Sequence, residues 1–111
     1  MEHKYMFILD RNSANWSRSD EYNRAFIKQM IELLNDWYKT VGWLTVAKVF
    51  GIFGEAGKFK PTFYTACFGW DMAKDDPKKI EFDIQEGTDG NGETIFAVTF
   101  TAKQIIFMEA E

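Results

Sequence analysis

The hydrophobic residues of this chain change their spacing along the sequence, from a helical period to a strand period. Between residues 20 and 40 they recur every three or four positions, with charged residues mostly on the other side. This spacing predicts an amphipathic helix of about five turns. From 79 to 101, two segments instead alternate apolar and polar residues, as half-buried strands do. Helices followed by strands with tight turns predict an α+β fold, with two N-terminal helices packed on a small antiparallel sheet of three to five strands.

Local signals bound the two helices. Ser17 or Ser19 is placed to cap the first, and Gly42 is placed to end it. Thr45 is placed to cap a second, shorter helix that runs to about Phe53. The positions assigned to the core side of the first helix are Tyr22, Ala25, Phe26, Met30, Leu33, Leu34, Trp37, Tyr38 and Val41, and those of the second are Val46, Val49, Phe50 and Phe53.

The remaining apolar segments are predicted to be extended. Alternation is clearest where Phe96, Val98 and Phe100 take every second position. The predicted strands are 62–70, 79–85 and 94–101, and residues 4–9 are predicted to be a short strand or an ordered lead-in. A loop is predicted at 54–61, a hairpin loop at 87–92 and, at 105–108, a short strand or docking tail.

Length and composition predict one domain, residues 1–111, with a core of its own. The chain has 46% hydrophobic and 17% aromatic residues, which excludes a disordered polymer. Its single cysteine, Cys67, cannot form an internal disulfide, so a reducing compartment is expected. The first apolar run is too short for a signal peptide, and no uncharged run is long enough to span a membrane. The expected location is the cytoplasm.

Charge and motifs exclude several classes of function. The net charge of −4 disfavours nucleic acid as a partner. The glycines before Lys58 do not make a phosphate loop, since Phe59 stands where a magnesium-binding Ser or Thr is needed. The segment 89–93 begins like a calcium loop, but Phe100 replaces its bidentate Glu. His3 and Cys67 are most simply an exposed side chain and a small buried one. No catalytic residue, metal ligand or cofactor is therefore predicted, and the chain is not expected to be an enzyme.

Several short motifs between residues 22 and 84 occur together. They are Gly42-Trp43-Leu44, a helix with Val49-Phe50 and Phe53-Gly54, a Thr62 seven positions before Gly69-Trp70, and a strand at Ile80-Glu81-Phe82-Asp83. This arrangement resembles small proteins encoded by phages, prophages and other mobile elements of Gram-positive bacteria. The resemblance implies the origin of the chain. That family has no assigned activity, so no catalytic residue is carried over.

Aromatic residues concentrate at 59–70, where they overlap the segment that resembles the family. The candidate binding residues are Phe59, Lys60, Thr62, Tyr64, Trp70 and Trp43. Exposed aromatic residues are enriched at protein interfaces. The predicted function is therefore a non-enzymatic interaction protein that binds a host or phage protein, with counter-defence as one role. Such a surface could also pair two copies of the chain. The alternative is a small-molecule or nucleotide-signal binding protein. A helix-turn-helix DNA binder ranks third, since Lys48 is nearly the only polar residue on its second helix.

Overall fold

The computed structural model describes residues 2–54, 62–74 and 78–107. It confirms the α+β class, with a short third helix besides the two predicted ones. In chain order the elements are β1 (Glu2–Leu9), α1 (Asp20–Val41), β2 (Trp43–Thr45), α2 (Val46–Ile52), α3 (Phe63–Ala66), β3 (Phe68–Asp71), a 3₁₀ turn (Met72–Lys74), β4 (Asp83–Thr88) and β5 (Thr94–Gln104).

The described strands form one antiparallel sheet centred on the long strand β5. β1 runs along one side of β5, from Leu9 opposite Phe96 to Glu2 opposite Lys103. β4 pairs with the first half of the other side, and β3 pairs with its last two residues. β2 then pairs with β3. The sheet order is therefore β1-β5-β3-β2, with β4 attached to β5 beside this path.

Alternation along the strands separates the two faces of the sheet, as the sequence predicts. On β5 the side chains of Phe96, Val98 and Phe100 are buried, and the residues between them are not. Tyr5 stacks on Phe100 at 5.3 Å between ring centroids. The helices cover this inner face, where Phe53 of the segment after α2 packs 5.1 Å from the ring of Phe7. Apart from Ile105, the buried apolar side chains of the described residues form one core cluster.

The predicted helix boundaries are confirmed, and local hydrogen bonds explain them. Ser19 Oγ accepts from the Tyr22 N–H at 3.2 Å. Gly42 adopts φ +93° and donates its N–H to a carbonyl in the last turn of α1, a geometry that favours glycine. Thr45 Oγ1 likewise accepts from the Lys48 N–H and caps α2.

The core side of α1 differs from the prediction. The residues buried on this helix are Asn23, Ile27, Leu34 and Tyr38. Tyr22, Ala25, Leu33, Trp37 and Val41, all assigned to the core from their spacing, are exposed. The apolar positions of α1 cover a wider arc than the sheet can bury, and α2 is only seven residues long and covers little of the remainder.

The predicted strand at 62–70 is wrong in its first half. Residues 63–66 form α3, and the strand begins only at Phe68. Thr65 Oγ1 accepts from the Thr62 N–H at 2.9 Å and donates to the Thr62 carbonyl. Threonine side chains that bond nearby backbone favour such a turn over an extended segment. The loop predicted at 54–61 lies, from residue 55 on, outside the described residues.

The strand predicted at 79–85 begins four residues later, at Asp83, and ends at Thr88. The side chain of Asn35 on α1 explains the shift. Its Oδ1 accepts from the Ile80 N–H at 2.7 Å, and its Nδ2 donates to the Ile80 carbonyl at 3.2 Å. Both backbone groups of Ile80 are therefore bonded to the helix.

The segment after β5 docks as a tail. The N–H groups of Ile105 and Ile106 donate to the carbonyl of Cys67, and the side chain of Ile105 is buried. Met108, which closed the predicted apolar segment, lies outside the described residues. Within the described ranges, no helix combines the length and apolarity that crossing a membrane requires.

Candidate functional site

The predicted site residues that the structure describes do not meet in one place. Phe59 and Lys60 lie outside the described residues, and Thr62 is exposed just before α3. Trp70 is only 5% exposed, because it fills the core beside Phe82 and Phe100. It is therefore a core residue and does not present a surface for binding.

Trp43 and Tyr64 are exposed, but Trp43 is in β2 at one end of the sheet order, and Tyr64 of α3 packs on β1 at the other end. Trp43 is in β2, opposite Asp71, on the face turned away from the buried Leu44. The ring of Tyr64 stacks on that of His3 in β1, with 4.9 Å between centroids. The two aromatic residues therefore belong to separate surfaces.

The stacked rings of His3 and Tyr64 belong to a packed aromatic cluster that also includes Tyr5. Tyr5 donates its hydroxyl to the backbone carbonyl of Tyr64, which ties β1 to α3. Burial, together with the neighbouring Tyr64, raises the pKa of Tyr5 to about 12. The phenol therefore keeps its proton throughout the physiological range and remains a donor. This cluster holds α3 against β1.

A pronounced concave surface of the described residues is a groove between α1 and β4. Its volume is about 700 Å³, within the range of small-ligand and peptide pockets. We call it the α1–β4 groove. It is lined by Arg24, Ile27, Lys28, Ile31, Glu32, Asn35, Asp36, Lys79, Ile84, Glu86 and Phe96.

Two side-chain bridges join the walls of the α1–β4 groove. At one end, the guanidinium of Arg24 binds both carboxylate oxygens of Glu86, at 2.7 and 2.8 Å. At the other end, the amide of Asn35 holds the backbone of Ile80. The two helix residues are separated by about three turns, or about 16 Å of helix. Between the bridges, helix and strand do not touch closely, and the groove is the space left there.

The groove has an apolar floor and a charged rim. Ile27 and Phe96 are buried beneath the groove, and the half-buried side chains of Ile31 and Ile84 complete its floor. Among the described residues, the rim side chains have no ion-pair partner. These rim residues are Lys28, Glu32, Asp36 and Lys79.

The chemistry of the lining favours binding. The lining contains no Ser, Cys or His that could act as a nucleophile or a base near neutral pH. No group of three or more His, Cys, Asp or Glu residues suited to a metal ion occurs in the part of the chain that the structure describes. The three basic and three acidic residues of the lining balance in charge, so the groove does not favour an anionic ligand such as a nucleotide.

Local sequence patterns do not reveal this groove, because its parts come from distant segments. The helical spacing predicts only that the charged residues of the first helix, among them Arg24 and Glu32, face solvent, and the alternation at 79–85 predicts only that Ile84 lies in a half-buried strand. The one available signal was the alternation of Ile84 with charged neighbours, which is typical of any half-exposed strand. Which helix face meets which strand depends on long-range pairing.

α2 lacks the free polar face of a DNA-recognition helix. Val46 and Val49 are buried, and the ammonium group of Lys48 lies 4.3 Å from the centre of the Trp37 ring. The helix therefore packs on both the core and α1.

The bridge between Arg24 and Glu86 predicts how the stability of the fold depends on pH. The hydrogen bond from Arg24 holds the pKa of Glu86 below its ordinary value. Because the pKa is lower in the folded chain, the pair stabilises the fold above the unfolded-state pKa, and this contribution is lost as the pH falls through the folded-state pKa. Arg24→Met should raise the pKa of Glu86 toward the ordinary value, as measured by NMR titration of its carboxyl carbon. Lys28→Met should leave that pKa unchanged, and an unmoved pKa in Arg24→Met would contradict the bridge.

No protein-family model, curated protein or solved structure matches this chain.

Proposed function

We propose that this protein is a non-enzymatic interaction protein that binds an extended segment of a partner protein in the α1–β4 groove. The observation that carries the proposal is the position of β4 beside the groove. Among the described strands, β4 pairs only with β5, so its other edge has no strand partner. An edge strand next to a helix-walled groove is the arrangement in which an extended peptide adds to a sheet.

The lining determines what kind of segment fits. In an added strand, side chains alternate between the two faces of the sheet. Every second residue of the bound segment would therefore reach the floor formed by Ile27, Ile31 and Ile84, which favours apolar residues there. Glu32 and Asp36 lie one turn apart on the rim without an ion-pair partner among the described residues. They favour a basic residue beside the apolar ones.

The resemblance to phage and mobile-element proteins supports a partner from the host or from the element itself. A role in counter-defence fits that class of partner. In this proposal the protein works by occupying a strand-like segment of its target and carries out no reaction of its own.

A small apolar ligand is the second candidate, because the volume of the groove and its bridged ends also suit a compact molecule. Such a ligand would contact the floor without using the edge of β4. The two candidates therefore differ in whether the β4 amides are engaged.

A peptide library displayed against the immobilised full chain tests the proposal. Enriched peptides should alternate apolar residues and carry a basic one, and they should shift the backbone amide signals of β4 in NMR spectra. Ile31→Glu should weaken their binding about tenfold or more, because it places a charge on the apolar floor. Leu33→Glu is the matched control, since it makes the same change to an exposed residue on the far flank of α1, and should have no effect.

Two results would contradict the proposal. One is a set of enriched peptides whose binding ignores Ile31→Glu, which would place binding outside the groove. The other is binding that requires Ile31 but leaves the β4 amide signals in place, which would favour the small-ligand candidate.

A further inference from the structure

β1 is an edge strand with few of the features that keep such strands from pairing. It runs for eight residues in unbroken register with β5. No other described strand pairs with it. It has no proline, and its register contains no bulge. Proline and bulges are common means by which proteins block an exposed edge. As far as the described residues go, the free side of β1 is therefore open to a further strand.

The outward side chains of β1 have an apolar centre and charged ends. Met6 is 63% exposed and Ile8 is 39% exposed. Lys4 precedes them on the same face, and Asp10 follows just after the strand. The carboxylate of Asp10 accepts from the Asn12 N–H at 2.9 Å, which holds it at the end of the strand.

We infer that two copies of this chain pair antiparallel through β1, with Phe7 opposite Phe7 of the second copy. In this register Lys4 lies opposite Asp10 of the second copy, and Met6 lies opposite its Ile8. By the twofold symmetry each contact occurs twice, so two ion pairs flank two apolar pairs. The two sheets join into one continuous sheet across the dimer.

Other registers lose this complementarity. If Met6 lies opposite Met6, Glu2 faces Asp10, and two like charges meet. If Ile8 lies opposite Ile8, Met6 faces Asp10. A register that pairs even-numbered with odd-numbered residues would place inner-face side chains of one copy beside outer-face side chains of the other. Because side chains alternate between the two faces of a strand, such a register is excluded for a sheet that is buried on one face. The register centred on Phe7 thus matches both charge and apolar character.

Sedimentation velocity of the full chain at rising concentration tests the inference. The mass should rise toward twice the chain mass of 12.9 kDa. Lys4→Asp should raise the dimer dissociation constant about tenfold or more, because two attractive cross-strand pairs become repulsive. Asp10→Lys should do the same. The double variant Lys4→Asp/Asp10→Lys should restore the dissociation constant to within about threefold, since it rebuilds both pairs in the same register.

Lys78→Asp is the control for charge alone, because Lys78 is exposed and lies outside β1; it should leave the dimer unchanged. Thermal melting of each variant distinguishes a loss of dimer pairing from a loss of folding. If Asp10→Lys does not fold, the dimer dissociation constant of Lys4→Asp compared with that of Lys78→Asp tests the inference. A chain that stays monomeric at the highest concentration reached overturns the inference, as does a dimer insensitive to Lys4→Asp. The groove plays no part, so Ile31→Glu should not affect the dimer.

Discussion

Replacing Gly69 by alanine should lower the free energy of unfolding by about 3 kcal/mol or more and the melting temperature by about 12 °C or more. Gly69 lies in β3, and the neighbouring strand β2 runs so close to it that an added Cβ would stand 1.9 Å from the carbonyl oxygen of Leu44. Backbone oxygen cannot move aside as a flexible side chain can. The pairing of β2 with β3, and with it the start of α2, would have to shift.

Thermal and denaturant unfolding measure this effect, and another glycine supplies the matched control. Gly51 lies within α2, and an added Cβ there meets no atom within 4 Å. Gly51→Ala should therefore stabilise the protein by up to about 1 kcal/mol, through helix propensity alone. A Gly69→Ala variant that melts with the parent chain would show that β2 and β3 do not approach this closely.

Replacing Asn35 by alanine should cost about 2–3 kcal/mol. Its amide bonds both backbone groups of Ile80 and also donates to the Ile31 carbonyl. Alanine leaves the N–H and C=O of Ile80 without these partners, and an unsatisfied backbone group is costly when buried. One end of the α1–β4 groove should open as a result.

Denaturant unfolding gives the free energy, and hydrogen exchange gives the location. Protection of the Ile80 amide should fall in Asn35→Ala before that of the β5 amides. Gln29→Ala, which removes an exposed amide from the same helix, should stay within about 0.5 kcal/mol of the parent. If Asn35→Ala unfolds like the parent and Ile80 keeps its protection, the segment before β4 is held by other contacts.

Predictions that rest on short-range chemistry are confirmed. Ser19, Thr45 and Gly42 bound their helices through hydrogen bonds to residues three or four positions away. The alternation along β5 predicts its buried face because a pleated strand turns successive side chains to opposite sides. In each case the decisive partners are near in sequence or follow from a regular period.

Predictions that required knowledge of distant partners are wrong or incomplete. Spacing assigned Trp37 and Leu33 to the core, but burial on α1 depends on how wide an arc the sheet covers. Ile80 belongs to a strand pattern, but an asparagine 45 positions earlier takes its backbone groups. The aromatic residues near Trp70 predict that it binds a partner. The pairing of β3 with β2 and β5 instead orients its side chain toward the core.

The amino-acid sequence alone thus determines the fold class, the helix ends and the inward face of the central strand β5. Local hydrogen bonds and the spacing of apolar residues set these features. The α1–β4 groove and the open edge of β1 arise from tertiary structure. Both depend on which strands β5 pairs with and on where Arg24 and Asn35 reach across to distant residues. Such pairings bring together segments far apart in the chain, and no local pattern encodes them.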